Sequence, residues 1–84
     1  MSGLPSPTPR QRHERFLVLT AELGLKDIEA SRLLGFTKSA WSMYRSGSSP
    51  VPRYAIASLE MTVDLKQHAL RKYKQKLNEI KRNA

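Results

Sequence analysis

Apolar side chains recur along this chain at helical spacing, and no segment alternates apolar and polar residues long enough to argue for a strand. Phe16, Leu17, Leu19 and Leu23 form the first series, which Gly24 ends as a left-handed cap. Ahead of it, Thr8-Pro9-Arg10-Gln11 has the T-x-x-Q spacing of a capping box. Its proline stands at the first helical position, where a missing N–H costs nothing. A second helix is predicted over Asp27–Leu34, with Ile28, Ser31, Leu33 and Leu34 on a buried side and Gly35 at the end. Asp27 and Glu29 suit the free N–H groups of its first turn. Thr37 is a good N-cap for a third helix over Lys38–Ser46, with Gly47 at the far end. Ser46-Gly47-Ser48-Ser49-Pro50-Val51-Pro52 reads as a turn. A fourth helix from Arg53 to about Met61 carries Tyr54, Ala55, Ile56, Ala57 and Leu59.

Beyond Met61 the pattern changes. Leu70, Tyr73, Leu77 and Ile80 are spaced 3, 4, 3, and the register extends back through Lys66, Val63, Leu59 and Ile56 with Lys66 as its one polar interruption. The other faces are mainly basic, with Arg71, Lys72, Lys74, Lys76, Lys81 and Arg82. Two heptads are too few for a stable isolated coiled coil, so three outcomes stay open: self-association through this helix, docking on its own domain, or a frayed basic tail. Self-association is the leading expectation, with Leu70, Tyr73, Leu77 and Ile80 as the dimerisation residues. At the other end Pro5 and Pro7 stand among Ser and Thr, so residues 1–8 are expected to be a flexible tail. The expected organisation is therefore all-α: four to five short helices, with a domain over residues 9–62 and a basic C-terminal helix over 63–84.

Length and charge narrow the function. A chain of 84 residues holds one domain with a modest core, and a second catalytic domain does not fit. It has no cysteine, which removes disulfides and thiolate zinc sites and suits a reducing compartment. His13 and His68 are far apart without ligand-type neighbours, so no metal or other cofactor is expected. The longest apolar run, Phe16-Leu17-Val18-Leu19, is far too short to span a membrane, and prolines occupy the place of a signal peptide's apolar core. A cytoplasmic location is expected. Fifteen Lys and Arg against seven Asp and Glu leave a net charge of +8, which points to a polyanionic partner.

The second and third helices, joined by Gly35-Phe36-Thr37, have the spacing and turn chemistry of a helix-turn-helix. At about 100° per residue, Ala40, Trp41 and Tyr44 share one third of the third helix. Lys38, Ser39, Ser42, Arg45 and Ser46 fall opposite, with Met43 at the edge. The aromatic pair reads as core anchors. The outer face has short side chains, hydroxyls and cations, which is what a helix approaching a major groove must present. No acidic residue occurs from Thr37 through Leu59, which strengthens that reading against an ordinary solvated face.

On these residues the chain resembles the lambda-repressor-like and Cro-like helix-turn-helix regulators of phages and bacteria. The resemblance covers roughly residues 12–61 and rests on Ser31, Leu34, Gly35, Phe36, Thr37, Trp41, Tyr44 and Gly47. Small phage-encoded regulators, including some anti-CRISPR-associated repressors, look similar in the continuation Pro50-Val51-Pro52-Arg53-Tyr54. Three positions depart from the pattern: Ser31 stands where alanine is usual, Trp41 replaces a smaller Ile or Val, and Asp27 takes a place where glutamine often touches a phosphate. The resemblance implies Thr37 as cap and phosphate donor, Lys38, Ser39, Ser42 and Met43 toward base edges, and Arg45 toward the DNA backbone. Arg53 would contact a phosphate at the start of the fourth helix. Arg10, Arg12 and Arg15 are further backbone candidates, or simply a solvated face.

The function so implied is a sequence-specific transcriptional regulator, a repressor that binds an inverted repeat in double-stranded DNA as a homodimer, with no enzymatic step and no small-molecule ligand. Two alternatives come from other classes: a protein-interaction module such as an antitoxin or phage adaptor, and a nonspecific nucleic-acid binder acting through the basic tail. Scattered carboxylates and the lack of a glycine-rich phosphate loop argue against an enzyme.

Overall fold

A computed structural model describes residues 7–83. Four helices occur in it: α1 (Pro9–Leu23), α2 (Asp27–Leu34), α3 (Lys38–Ser46) and α4 (Arg53–Asn83), with no strand among the described residues. The all-α class expected from the periodicity is thus observed. The expected flexibility of residues 1–6 lies outside the described residues; Pro7 accepts a hydrogen bond from Arg12 Nη1 and Thr8 is the N-cap of α1.

Local chemistry fixes the helix ends. Thr8 Oγ1 accepts from Gln11 N at 3.1 Å while Gln11 Oε1 accepts from Thr8 N at 2.9 Å, which completes the reciprocal capping box. At the end of α2, Gly35 at φ 79° lets its own N–H reach Arg32 O and the N–H of Phe36 reach Ser31 O. Those two bonds make a Schellman stop, which turns the chain sharply toward α3. Thr37 Oγ1 caps α3 by accepting from Ala40 N at 3.1 Å.

The core sits where α1 and α4 pack together and α3 closes over them. Phe16, Leu19 and Leu23 of α1 meet Ala55, Leu59 and Val63 of α4, with Trp41, Ala30 and the loop residue Val51 completing the cluster. Buried Thr20 donates to Leu17 O at 2.9 Å and buried Ser31 donates to Ile28 O at 3.0 Å, so neither hydroxyl is left unpaired.

Two expectations about faces and one about helix length are corrected. Leu17 is 38% exposed, because it lies about 100° off the Phe16, Leu19, Leu23 stripe. In α2 the buried residues are Ala30 and Ser31, with Leu34 partly covered, whereas Ile28 and Leu33 are exposed. The short helix thus presents small residues inward, and this sets the large apolar ones on its flanks. Finally, the break expected after Met61 is not there: α4 is one helix of 31 residues, about 46 Å long at 1.5 Å per residue.

Candidate nucleic-acid interface

The seat of α3 is aromatic. Trp41 is 2% exposed, its ring centroid 4.9 Å from that of Phe16 and 6.2 Å from that of Phe36. Tyr44 meets the edges of the same two rings at 6.1 and 5.9 Å. Partial burial, followed by a hydrogen bond and charge repulsion from Tyr54, pushes the Tyr44 hydroxyl above its ordinary pKa. Phe36 also stacks on Tyr54 at 5.7 Å, which brings the first turn of α4 beside the turn that opens α3.

Polar contacts then fix the helix against its neighbours. Asp27 Oδ1 accepts from the Trp41 indole Nε1 at 3.1 Å and pairs with Arg45 Nη1 at 3.1 Å. A carboxylate that looks ill placed for a phosphate backbone therefore holds α2 and α3 together, with a cation against it. His13 Nε2 lies 3.0 Å from Arg45 O, tying α1 to the last turn of α3. Arg12 Nε donates to Val51 O at 2.7 Å, anchoring the loop ahead of α4.

Beside this half-exposed Asp27–Arg45 pair, Lys38, Ser39, Ser42 and Met43 stand on the outer face of α3, all exposed. Among the described residues no hydrogen bond or ion pair engages the side chains of Lys38, Ser39 or Ser42. The face divides as helical geometry requires, with Ala40 and Tyr44 half-buried on the other side. A shallow groove of about 330 Å³ runs between α2 and α3, lined by Ile28, Lys38, Ser42 and Ser46 above Trp41.

Other residues singled out in the sequence are distributed differently. Thr37 is the α3 cap and Arg53 stands exposed in the first turn of α4, next in sequence to Tyr54, whose ring stacks on Phe36. Ser46 Oγ donates to Met43 O at 3.2 Å and pairs with Ser48 Oγ at 2.8 Å, closing the end of α3. Arg10 pairs with Glu14 at 3.4 Å and Arg15 with Glu60 at 3.7 Å. Leu70, Tyr73, Leu77 and Ile80 lie in the distal half of α4, beyond its last buried residue, Val63. Asp27, His13 and Arg12 are the residues that sequence reasoning missed as scaffolding; their partners are 14, 32 and 39 positions away, beyond the reach of any local pattern.

Among the described residues no helix is long and apolar enough to cross a membrane, and no cluster of His, Cys, Asp or Glu could hold a metal ion. Comparison with protein-family models, with curated proteins and with solved structures finds no match to this chain.

Proposed function

We propose that the protein is a sequence-specific DNA-binding regulator in which α2, the Gly35-Phe36-Thr37 turn and α3 act as a helix-turn-helix. The observation that carries this reading is the outer face of α3. Its short polar side chains and one lysine stand free on a helix held rigidly by Trp41, in a stretch without acidic residues.

In this reading α3 enters the major groove and the serine hydroxyls let its backbone come close. Lys38, Ser39 and Ser42 meet base edges, and Met43 supplies an apolar contact such as a thymine methyl would accept. Thr37 keeps its hydroxyl proton available for a phosphate, since its oxygen accepts from Ala40 N. Arg53 approaches the same strand from the α4 N-terminus, where the helix dipole favours an anion. Arg45 pairs with Asp27 through Nη1 and keeps about half of its side chain exposed, so the rest of its guanidinium stays available to the DNA backbone. Occupancy alone would block transcription, so no chemical step is required. Two copies on an inverted repeat would put their α3 helices one turn of DNA apart, roughly 34 Å. Such pairing on the operator does not require the copies to associate in free solution.

Selection of random duplexes with the purified chain tests the proposal. Convergence on a defined site, with affinity falling steeply as salt rises, is the expected result. Retention of all duplexes alike would favour nonspecific binding through the basic end of α4 instead.

A further inference from the structure

The distal half of α4 continues the face that packs against α1. The two helices run in the same direction: Arg12 meets Val51, Arg15 meets Glu60, and Lys66 Nζ donates to Leu23 O at 2.6 Å where α1 stops. Past that point the lane occupied by α1 runs on along α4 without a covering element among the described residues. It is lined by Leu70, Tyr73 and Ile80, which are 47%, 64% and 59% exposed, and by the partly covered Leu77.

The charges beside this stripe select what can lie in the lane. With Leu70 and Leu77 at heptad position a and Tyr73 and Ile80 at d, the flanking positions hold Lys74, Lys76 and Lys81 together with Gln67, Ala69 and Asn83. None is acidic. Self-pairing, the expectation from sequence, sets Lys76 beside Lys81 of a second copy if the helices are parallel. If they are antiparallel with the stripes overlapped, Lys76 faces Lys76 and Lys74 faces Lys74. Each arrangement puts ammonium against ammonium over only two heptads.

A lipid surface fits poorly, because the stripe spans only about 80° of the helix and α1 stands on the same face, holding a flat bilayer away. Nucleic acid could use the lysines but would leave four apolar side chains in water.

We propose that this stripe is the docking face for an acidic amphipathic helix of a different protein. Apolar residues at i, i+3, i+4 and i+7 of that helix cover Leu70, Tyr73, Leu77 and Ile80, and its flanking Asp and Glu meet Lys74, Lys76 and Lys81. The inference is independent of the α3 reading.

The test uses the full chain and two synthetic helical peptides with the same Leu and Ile seam, one flanked by Glu and the other by Lys. The chain should sediment as a monomer at micromolar concentration and bind the Glu-flanked peptide at least about tenfold more tightly than the Lys-flanked one. Leu77→Gln should abolish that binding. Lys74→Glu, Lys76→Glu and Lys81→Glu together should reverse the preference; all lie on exposed or half-exposed positions, and unchanged helicity by circular dichroism verifies folding. Ser42→Glu should leave peptide binding unchanged, which separates this inference from DNA binding. A stable homodimer that the Glu-flanked peptide cannot dissociate would overturn the proposal. So would equal affinity for both peptides, or binding by the wild type to anionic vesicles or duplex DNA that Leu77→Gln removes while neither peptide binds.

Discussion

A single oxygen of Asp27 serves both the buried indole of Trp41 and the guanidinium of Arg45. The charged pair itself adds little, because both side chains are about half exposed, at 47% and 52%. The indole contact matters more, since a buried donor without a partner costs its desolvation. Asp27→Ala should therefore lower stability by about 1–2 kcal/mol in urea denaturation followed by tryptophan fluorescence, and Asp27→Asn, which keeps an acceptor oxygen, by less. Tyr44 makes stability depend on pH. Its hydroxyl keeps its proton to higher pH in the folded chain than in the unfolded one. The contribution is thus complete below the ordinary value near 10 and disappears as pH rises through the raised folded value. Tyr44→Phe should reduce the alkaline decline in melting temperature, read from thermal unfolding across roughly pH 8 to 11. The inward or outward direction of each α3 residue was legible from its angle on the helix. The partners of Asp27 were not, because only the fold brings Asp27, Trp41 and Arg45 together.

At the level of elements, the sequence marks ends better than it marks phases. Thr8 with Gln11, Gly24, Gly35, Thr37 and Gly47 all stand at the helix ends where their chemistry places them, since capping is settled within a few residues. The inward face of α2 was misread because size outranked position: Ile28 and Leu33 look like core, yet close approach to α3 requires Ala30 and Ser31. Lys66 shows the same limit. It interrupts an apolar register, and its ammonium reaches across to Glu22 O at 3.3 Å and Leu23 O at 2.6 Å, giving α1 the C-terminal cation that its own last turn lacks. Lys66→Ala should lower stability by about 1 kcal/mol in thermal or urea unfolding, more than any lysine of the distal half of α4. A side chain with no effect there would mean that the α1 terminus is satisfied by water instead.

The described residues form a small globular head with a projecting rod. Its radius of gyration is 16.4 Å, whereas about 12 Å is usual for a compact domain of this length. The excess comes from α4, whose last buried residue is Val63 although the helix runs on to Asn83. The helices of the head were legible because their caps and turn glycines act within a few residues. The rod was not, because a helix that continues past its own core carries the same signal as two helices in one register. This shape separates the two surfaces for which partners are proposed: α3 on the head, for DNA, and the basic, apolar-striped rod, for an acidic helix.

The claim that the outer face of α3 reads DNA is tested most directly by Ser42→Glu on a duplex recovered by selection, with binding followed by fluorescence anisotropy across a range of salt. Ser42 is exposed, so the variant should unfold at the wild-type denaturant midpoint. A carboxylate there should lower affinity for the selected duplex by at least about a hundredfold, since a major-groove contact is exchanged for repulsion. Wild-type affinity in a folded Ser42→Glu chain would contradict it.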